Sequence, residues 1–138
     1  MIQFVIFLCV LVSANAFSKE VADLFMTKMD QVGEACIKET KASPDDIIEL
    51  LNYKVPTTQE GKCMLFCINK AFNLQNDDGS ANKDDIFKFV DRLSELHPHV
   101  HQQYRTIVEE CLNNDSIKDE DPCVFAANFV RCCEEKLD

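Results

Sequence analysis

Cysteine is the residue through which this sequence could do the most chemistry, because a thiol can form a disulfide, bind a metal or act as a nucleophile. The chain has eight cysteines in 138 residues. Which of these roles they serve depends first on whether the chain enters an oxidising compartment.

The start of the sequence indicates such a compartment. Ile2 to Val12 is almost uniformly apolar and is followed by Ser13-Ala14-Asn15-Ala16. The run is too short to cross a bilayer as a helix, and an apolar run that ends in Ala-x-Ala is typical of a secretory signal peptide. We expect residues 1–16 to be a signal peptide that contains Cys9, and residues 17–138 to be a single secreted, extracellular domain.

The cysteines that remain are expected to form disulfides rather than catalytic or metal sites. A zinc site is disfavoured because no histidine follows Cys63 and Cys67 closely. The number of these cysteines is odd, so at least one is left over; they are Cys36, Cys63, Cys67, Cys111, Cys123, Cys132 and Cys133.

Three histidines lie within five positions, and His97 and His101 have the i, i+4 spacing that could hold a metal. Pro98 disturbs a helix between them, and no acidic residue lies inside the cluster. A solvated helix start is the simpler interpretation of His97, His99 and His101, and a pH-sensitive role is the more specific one.

Other catalytic and cofactor signals are missing from the sequence. It contains no Gly-x-Ser-x-Gly motif and no glycine-rich phosphate loop. A calcium loop centred on Gly79 would place Leu74 at the first ligand position, which a hydrocarbon side chain cannot fill. We therefore expect no enzyme activity, no cofactor and no metal.

The charge narrows the range of partners. A formal net charge of −10 repels phosphate backbones and anionic lipid, so nucleic acid is not an expected partner. No second apolar run approaches membrane length, so we expect no membrane insertion.

Helices are predicted throughout, because only three glycines and four prolines occur and apolar residues recur every three or four positions. Ser43-Pro44 predicts a helix start with a capping hydroxyl, and Thr57 to Glu60 predicts a capping box. Six helices are expected, at about 18–40, from 43, from 57, at about 83–96, around 100–111 and from 121. The second has Ile47, Ile48, Leu50 and Leu51 on its apolar side, and the third carries Cys63 and Cys67. A polar loop at 113–120 precedes the last helix.

On these helices the cysteines have restricted choices. Cys63 and Cys67 share one face of a helix and are not expected to bond to each other, so each must reach a different neighbour. Cys123 and Cys132 lie nine positions apart and point in different directions. Three bridges among six cysteines still allow fifteen pairings, and spacing alone does not choose one.

The spacing is nevertheless recognisable. From Cys36 to Cys132, leaving out Cys133, the intervals are 26, 3, 43, 11 and 8 residues. This resembles the six-cysteine signature of the insect odorant-binding proteins, general and pheromone-binding, over essentially the whole mature chain. The resemblance implies an all-α, six-helix, disulfide-stapled bundle around an apolar pocket, with the pairs Cys36–Cys67, Cys63–Cys123 and Cys111–Cys132.

Two features depart from that signature. Cys133 has no counterpart, and either a buried free thiol or an exposed thiol that makes a covalent dimer would explain it. Only six residues follow Cys132, so we expect no C-terminal tail that inserts into the pocket. Asn114-Asp115-Ser116 is, in addition, a glycosylation sequon in a predicted surface loop.

The resemblance implies a secreted carrier of a small hydrophobic ligand, odorant-like or pheromone-like. A membrane receptor and a second copy of the chain are the other partners that we consider. The alternative function is a non-olfactory salivary or reproductive effector that uses the scaffold to bind protein or lipid. From their positions relative to the six cysteines, the residues that we expect to contact ligand are Met29, Leu65, Asn69, Leu74, Val90, Val108, Phe129 and Val130.

Overall fold

The structure is a computed structural model that describes residues 19–52, 54–96 and 98–137, with side chains described at 27–52, 54–92 and 102–137. The predicted signal peptide and the side chains of His97, His99 and His101 lie outside this part. The described residues form six α-helices, which are α1 Lys19–Thr40, α2 Pro44–Leu51, α3 Gln59–Ala71, α4 Lys83–Leu96, α5 Pro98–Leu112 and α6 Pro122–Leu137.

Helix α2 begins as its sequence predicts. Ser43 is the N-cap, its hydroxyl accepts from the amide of Asp46, and the Asp46 carboxylate accepts in return from the amide of Ser43. Pro44 occupies the first turn, where a missing amide proton costs nothing. This reciprocal arrangement is a capping box built on Asp46.

The predicted apolar side of α2 is only half buried. Leu50 is buried and Ile47 half-buried, but Ile48 is 54% exposed and Leu51 is 60% exposed. The two pairs lie on different sides of the helix, because each residue turns the side-chain direction by about 100°. Helix α2 packs against α3, and the four residues predicted to form one apolar side are divided between the interior and the surface.

The start of α3 also differs from the expected capping box. Thr58 is the N-cap, and its hydroxyl accepts from the amide of Gly61 over 3.0 Å. Gly61 occupies the position where a capping box needs a glutamate or glutamine, so no side chain can return the bond. The Thr58 hydroxyl instead donates to the Asp46 carboxylate.

Helix α4 has the bounds that the sequence predicts, and α5 begins at Pro98. The predicted polar loop after α5 contains a short 3₁₀ helix, Asp115–Ile117, whose Ile117 is buried. Asp121 begins α6 as predicted, because its Oδ1 accepts from the amides of Cys123 and Val124.

Three disulfides join the helices, with the pairing that the resemblance implied. Cys36–Cys67 joins α1 to α3, Cys63–Cys123 joins α3 to α6, and Cys111–Cys132 joins α5 to α6. Cys63 and Cys67 therefore reach different neighbours, as their shared helix face requires. The most extensive helix packing, α3 against α6, coincides with the middle bridge.

The core lies between these helices and is continuous. It takes Met64, Leu65 and Ile68 from α3 and Ala126, Phe129 and Val130 from α6, together with residues of α1, α4 and α5. Among the helices that the structure describes, none combines the length and apolarity needed to cross a bilayer.

Candidate ligand-binding site

The eight nominated residues all lie in the interior. Each is at most 7% exposed, and together they come from α1, α3, α4, α5, α6 and the loop after α3. The structure brings Asn69, Leu74 and Phe129 together around one small cavity. Met29, Leu65, Val90, Val108 and Val130 belong to the surrounding core and do not line it.

That cavity has a volume of about 10 Å³, which is enough for about one water molecule. Sequence reasoning missed five of its lining residues. Ile86, Phe125 and Ala126 could have been found, since they occupy apolar positions of predicted helices, whereas Gln75 and Ala81 carry no such pattern. The walls are Asn69, Leu74, Gln75, Ala81, Ile86, Phe125, Ala126 and Phe129.

Two buried amides provide the polar part of this wall. Asn69 is 3% exposed and Gln75 is 4% exposed. The Asn69 amide nitrogen donates to Oε1 of Gln75 over 2.6 Å. Nε2 of Gln75 donates in turn to the backbone carbonyls of Gly79, at 3.0 Å, and Pro122, at 3.4 Å.

The carbonyl oxygen of the Asn69 side chain is buried and has no hydrogen-bond partner among the described residues. A buried acceptor without a donor costs free energy, commonly about 1–3 kcal/mol. The other lining side chains, apart from Gln75, are hydrocarbon. The cavity therefore combines a mostly hydrocarbon wall with one free hydrogen-bond acceptor.

The loop between α3 and α4, residues 72–82, positions Gln75. Its backbone doubles back, with the amide of Leu74 donating to the carbonyl of Asn69 and the amide of Asn82 donating to the carbonyl of Leu74. Gln75 and Ala81 form an isolated antiparallel bridge. These bonds hold the loop over the cavity.

A groove on the outer surface adjoins the cavity. It has a volume of about 440 Å³ and runs between residues 78–83 and 118–122. Ala81 and Phe125 line both the groove and the cavity. Phe125 is half-buried and meets Phe129 edge to face, with ring centroids 6.3 Å apart. These two residues separate the cavity from the groove.

Cys133, a further candidate group with a described side chain, does not line this cavity. Among the residues with described side chains, no three His, Cys, Asp or Glu are grouped to hold a metal. Cys133 is a free thiol buried in the core, and burial raises its pKa to about 12. Of the two explanations for this cysteine, the structure supports the buried thiol.

Comparisons with known proteins agree with this architecture. The general odorant-binding protein 19d of Drosophila melanogaster is 24% identical over 108 residues, which cover 78% of this chain and 70% of that protein. The solved odorant-binding protein dmelOBP28a of Drosophila melanogaster superimposes with a TM-score of 0.69, at 19% identity over 80% of this chain and 90% of the other.

A second solved structure is a pheromone-binding protein of the cockroach Leucophaea maderae in complex with the fluorescent reporter 1-anilinonaphthalene-8-sulfonic acid. It superimposes with a TM-score of 0.65, at 21% identity over 88% of this chain and 98% of the other. The model of the PBP/GOBP family matches residues 18–136. With a family match over nearly all of its length, and with the expected three disulfides in an all-helical fold, this chain belongs to the PBP/GOBP family of odorant- and pheromone-binding proteins.

Proposed function

We propose that this protein is a carrier that takes a small hydrophobic molecule into its interior and transports it through an aqueous extracellular fluid. The observation that supports this most directly is the buried, largely hydrocarbon cavity that contains one unpartnered acceptor, Oδ1 of Asn69. Ligand pockets in proteins commonly combine apolar walls with a few placed polar groups. The family match adds to this support.

The eight nominated residues are our proposed ligand contacts, with Asn69, Leu74 and Phe129 as the first that a ligand meets. A cavity of about 10 Å³ is too small for a molecule of several carbons, so uptake must move neighbouring side chains. Phe125 is the side chain best placed to move, because it is half-buried and borders both the cavity and the outer groove.

The route to an extracellular fluid is also part of the proposal. Residues 1–16 would be removed as a signal peptide, and the carrier would be the oxidised domain of residues 17–138. The protein would bind and release its ligand without catalysis, metal or cofactor. Burial of the ligand's apolar surface would drive binding, at about 25 cal/mol per Å² removed from water.

The test is displacement of a neutral fluorescent probe, N-phenyl-1-naphthylamine, from oxidised Phe17–Asp138. We expect saturable probe binding, and displacement by micromolar amounts of some compounds in a panel of volatile alcohols, aldehydes, esters and fatty acids. Ala126→Leu would fill the cavity and should weaken probe binding about tenfold or more. Ala71→Leu adds the same atoms at an exposed site of α3 and should leave binding unchanged.

Absence of probe binding by the folded wild-type protein would contradict the carrier function. The alternative, an effector that binds a protein or lipid partner, would then be the function to pursue. Equal probe binding by Ala126→Leu and wild type would keep a carrier but remove this cavity as its site. Circular dichroism of each variant separates loss of binding from loss of fold.

A further inference from the structure

The orientation of the two buried amides is fixed by their surroundings. Gln75 lies beside the backbone carbonyls of Gly79 and Pro122. A carbonyl oxygen can only accept a hydrogen bond, so the NH₂ group of Gln75 must face them. Its Oε1 consequently faces Asn69 and needs a donor. The NH₂ group of Asn69 supplies that donor, which leaves Oδ1 of Asn69 as the free atom.

A reversed Asn69 amide would break this arrangement. Oδ1 of Asn69 would then lie 2.6 Å from Oε1 of Gln75, and two acceptors without a proton between them repel each other. Gln75 therefore engages one N–H of Asn69, and Oδ1 of Asn69 is the buried acceptor that is left without a donor. Asn69 is 3% exposed, so bulk water does not reach Oδ1 freely.

We propose that the ligand is an apolar molecule with a hydroxyl group, such as a medium-chain alcohol or a phenol, whose O–H donates to Oδ1 of Asn69. Gln75 is the positioning residue that makes the site favour donors, because its bond to one N–H of Asn69 fixes the orientation of the amide and leaves Oδ1 free. This inference rests on the proposed carrier function and adds the chemical class of the ligand.

The same geometry disfavours the other volatile classes. Aldehydes, ketones and esters carry only acceptors, which would meet Oδ1 of Asn69 without a hydrogen bond. A carboxylate would in addition be a buried charge beside an acceptor, in a chain whose formal net charge is −10. The hydrocarbon side chains of Leu74, Ile86 and Phe129 would contact the alkyl part of any of them.

A single water is the competing occupant, since the cavity volume of about 10 Å³ matches one. A buried water commonly makes two to four hydrogen bonds. Oδ1 of Asn69 is the acceptor available to it here, and most of the remaining wall is hydrocarbon. An alcohol needs one hydrogen bond and gains from the hydrocarbon wall, so it should replace such a water.

The experiment compares 1-octanol, octanal and octanoic acid as competitors of N-phenyl-1-naphthylamine on oxidised Phe17–Asp138. We expect 1-octanol to bind about tenfold or more tightly than octanal. Gln75→Leu keeps a similar volume and leaves the Asn69 amide free to rotate. The affinity for octanal should then rise relative to that for 1-octanol, until the two agree within about threefold. Gln103→Leu, at an exposed glutamine of α5, should keep the wild-type preference.

A measurement on the unmodified protein keeps the inference testable if Gln75→Leu does not fold. The ¹³C resonance of the Asn69 side-chain carbonyl should shift on saturation with 1-octanol and stay near its ligand-free position with octanal. Equal affinities of wild type for alcohol and aldehyde, or an Asn69 carbonyl that is insensitive to 1-octanol, would overturn the inference and leave the carrier function intact. Failure of the probe itself to bind would overturn both.

Discussion

The hydroxyl of Thr58 donates a hydrogen bond to Oδ1 of Asp46 over 2.6 Å, and this contact joins the first turns of α2 and α3. The other carboxylate oxygen of Asp46 accepts from the amide of Ser43 over 2.8 Å and from its hydroxyl over 3.0 Å. Burial acts to raise the pKa of Asp46, but these hydrogen bonds outweigh it and hold the pKa below its ordinary value.

Asp46→Asn should destabilise the protein by about 1–3 kcal/mol at neutral pH, because a buried amide group cannot accept all three bonds. A depressed pKa in the folded state stabilises the fold above the unfolded pKa, which is about 3.9. The wild-type free energy of unfolding should therefore fall as pH drops below about 4, and Asp46→Asn should show less of this fall. Urea denaturation from pH 7 to 3 measures both effects.

The control is Asp30→Asn, at an exposed position of α1, which should change stability by less than about 0.5 kcal/mol. Equal pH dependence in the wild type and Asp46→Asn would show that other carboxylates carry the acid sensitivity.

Gly79 and Gly33 should respond in opposite directions to alanine. Gly79 has φ +89°, and a Cβ there would lie 2.5 Å from Cβ of Pro122, so Gly79→Ala should cost about 1–3 kcal/mol. A Cβ on Gly33, within α1, meets nothing within 4 Å, so Gly33→Ala should stabilise the fold by about 0.5–1 kcal/mol. Thermal unfolding of the two variants beside wild type tests this pair, and a stabilising Gly79→Ala would contradict the described loop.

The thiol of Cys133 should be unreactive in the folded protein. Burial raises its pKa to about 12, so very little of it is the reactive thiolate near neutral pH. Treatment of oxidised Phe17–Asp138 with a maleimide should label no cysteine under native conditions and one per chain in denaturant. Cys133→Ala should remove that label; a dimer on a non-reducing gel would instead indicate an accessible thiol.

Phe125→Ala should make the cavity easier to reach. Removing the ring that separates the cavity from the outer groove should raise the association rate of N-phenyl-1-naphthylamine several-fold, measured by stopped-flow fluorescence. Phe66→Ala is the matched control, because Phe66 is also half-buried but lines a different surface groove. Equal rates in both variants would place the access route elsewhere.

Much of this fold could be predicted from sequence because it depends on local rules. Ser43 and Asp121 start helices through their own side chains, and Cys63 and Cys67 are four residues apart on one helix, so the local geometry already excludes a bond between them. Which side of a helix is buried depends on the rest of the fold. Ile48 and Leu51 are residue types common in protein cores, and only the position of α2 against α3 shows that they are exposed.

The candidate site could be predicted only in part for the same reason. Asn69, Leu74 and Phe129 were nominated and do share one cavity. Gln75 could not be found, because its partners are backbone carbonyls of Gly79 and of Pro122, 47 positions further along the chain. A residue pattern does not show where a backbone carbonyl points. These two carbonyls orient the amide of Gln75, and Gln75 in turn orients the amide of Asn69.

The three disulfides cross-link some helices of the protein and leave another part without a cross-link. They connect α1 to α3, α3 to α6 and α6 to α5, so four helices form one covalently continuous frame. Helix α4 and the loop at 72–82 contain no cysteine, so only the backbone at their two ends, packing and hydrogen bonds hold them to this frame. No disulfide therefore opposes an expansion of the cavity on the side of Ala81 and Ile86, and the frame that carries Asn69 and Phe129 can keep its shape while ligand enters and leaves.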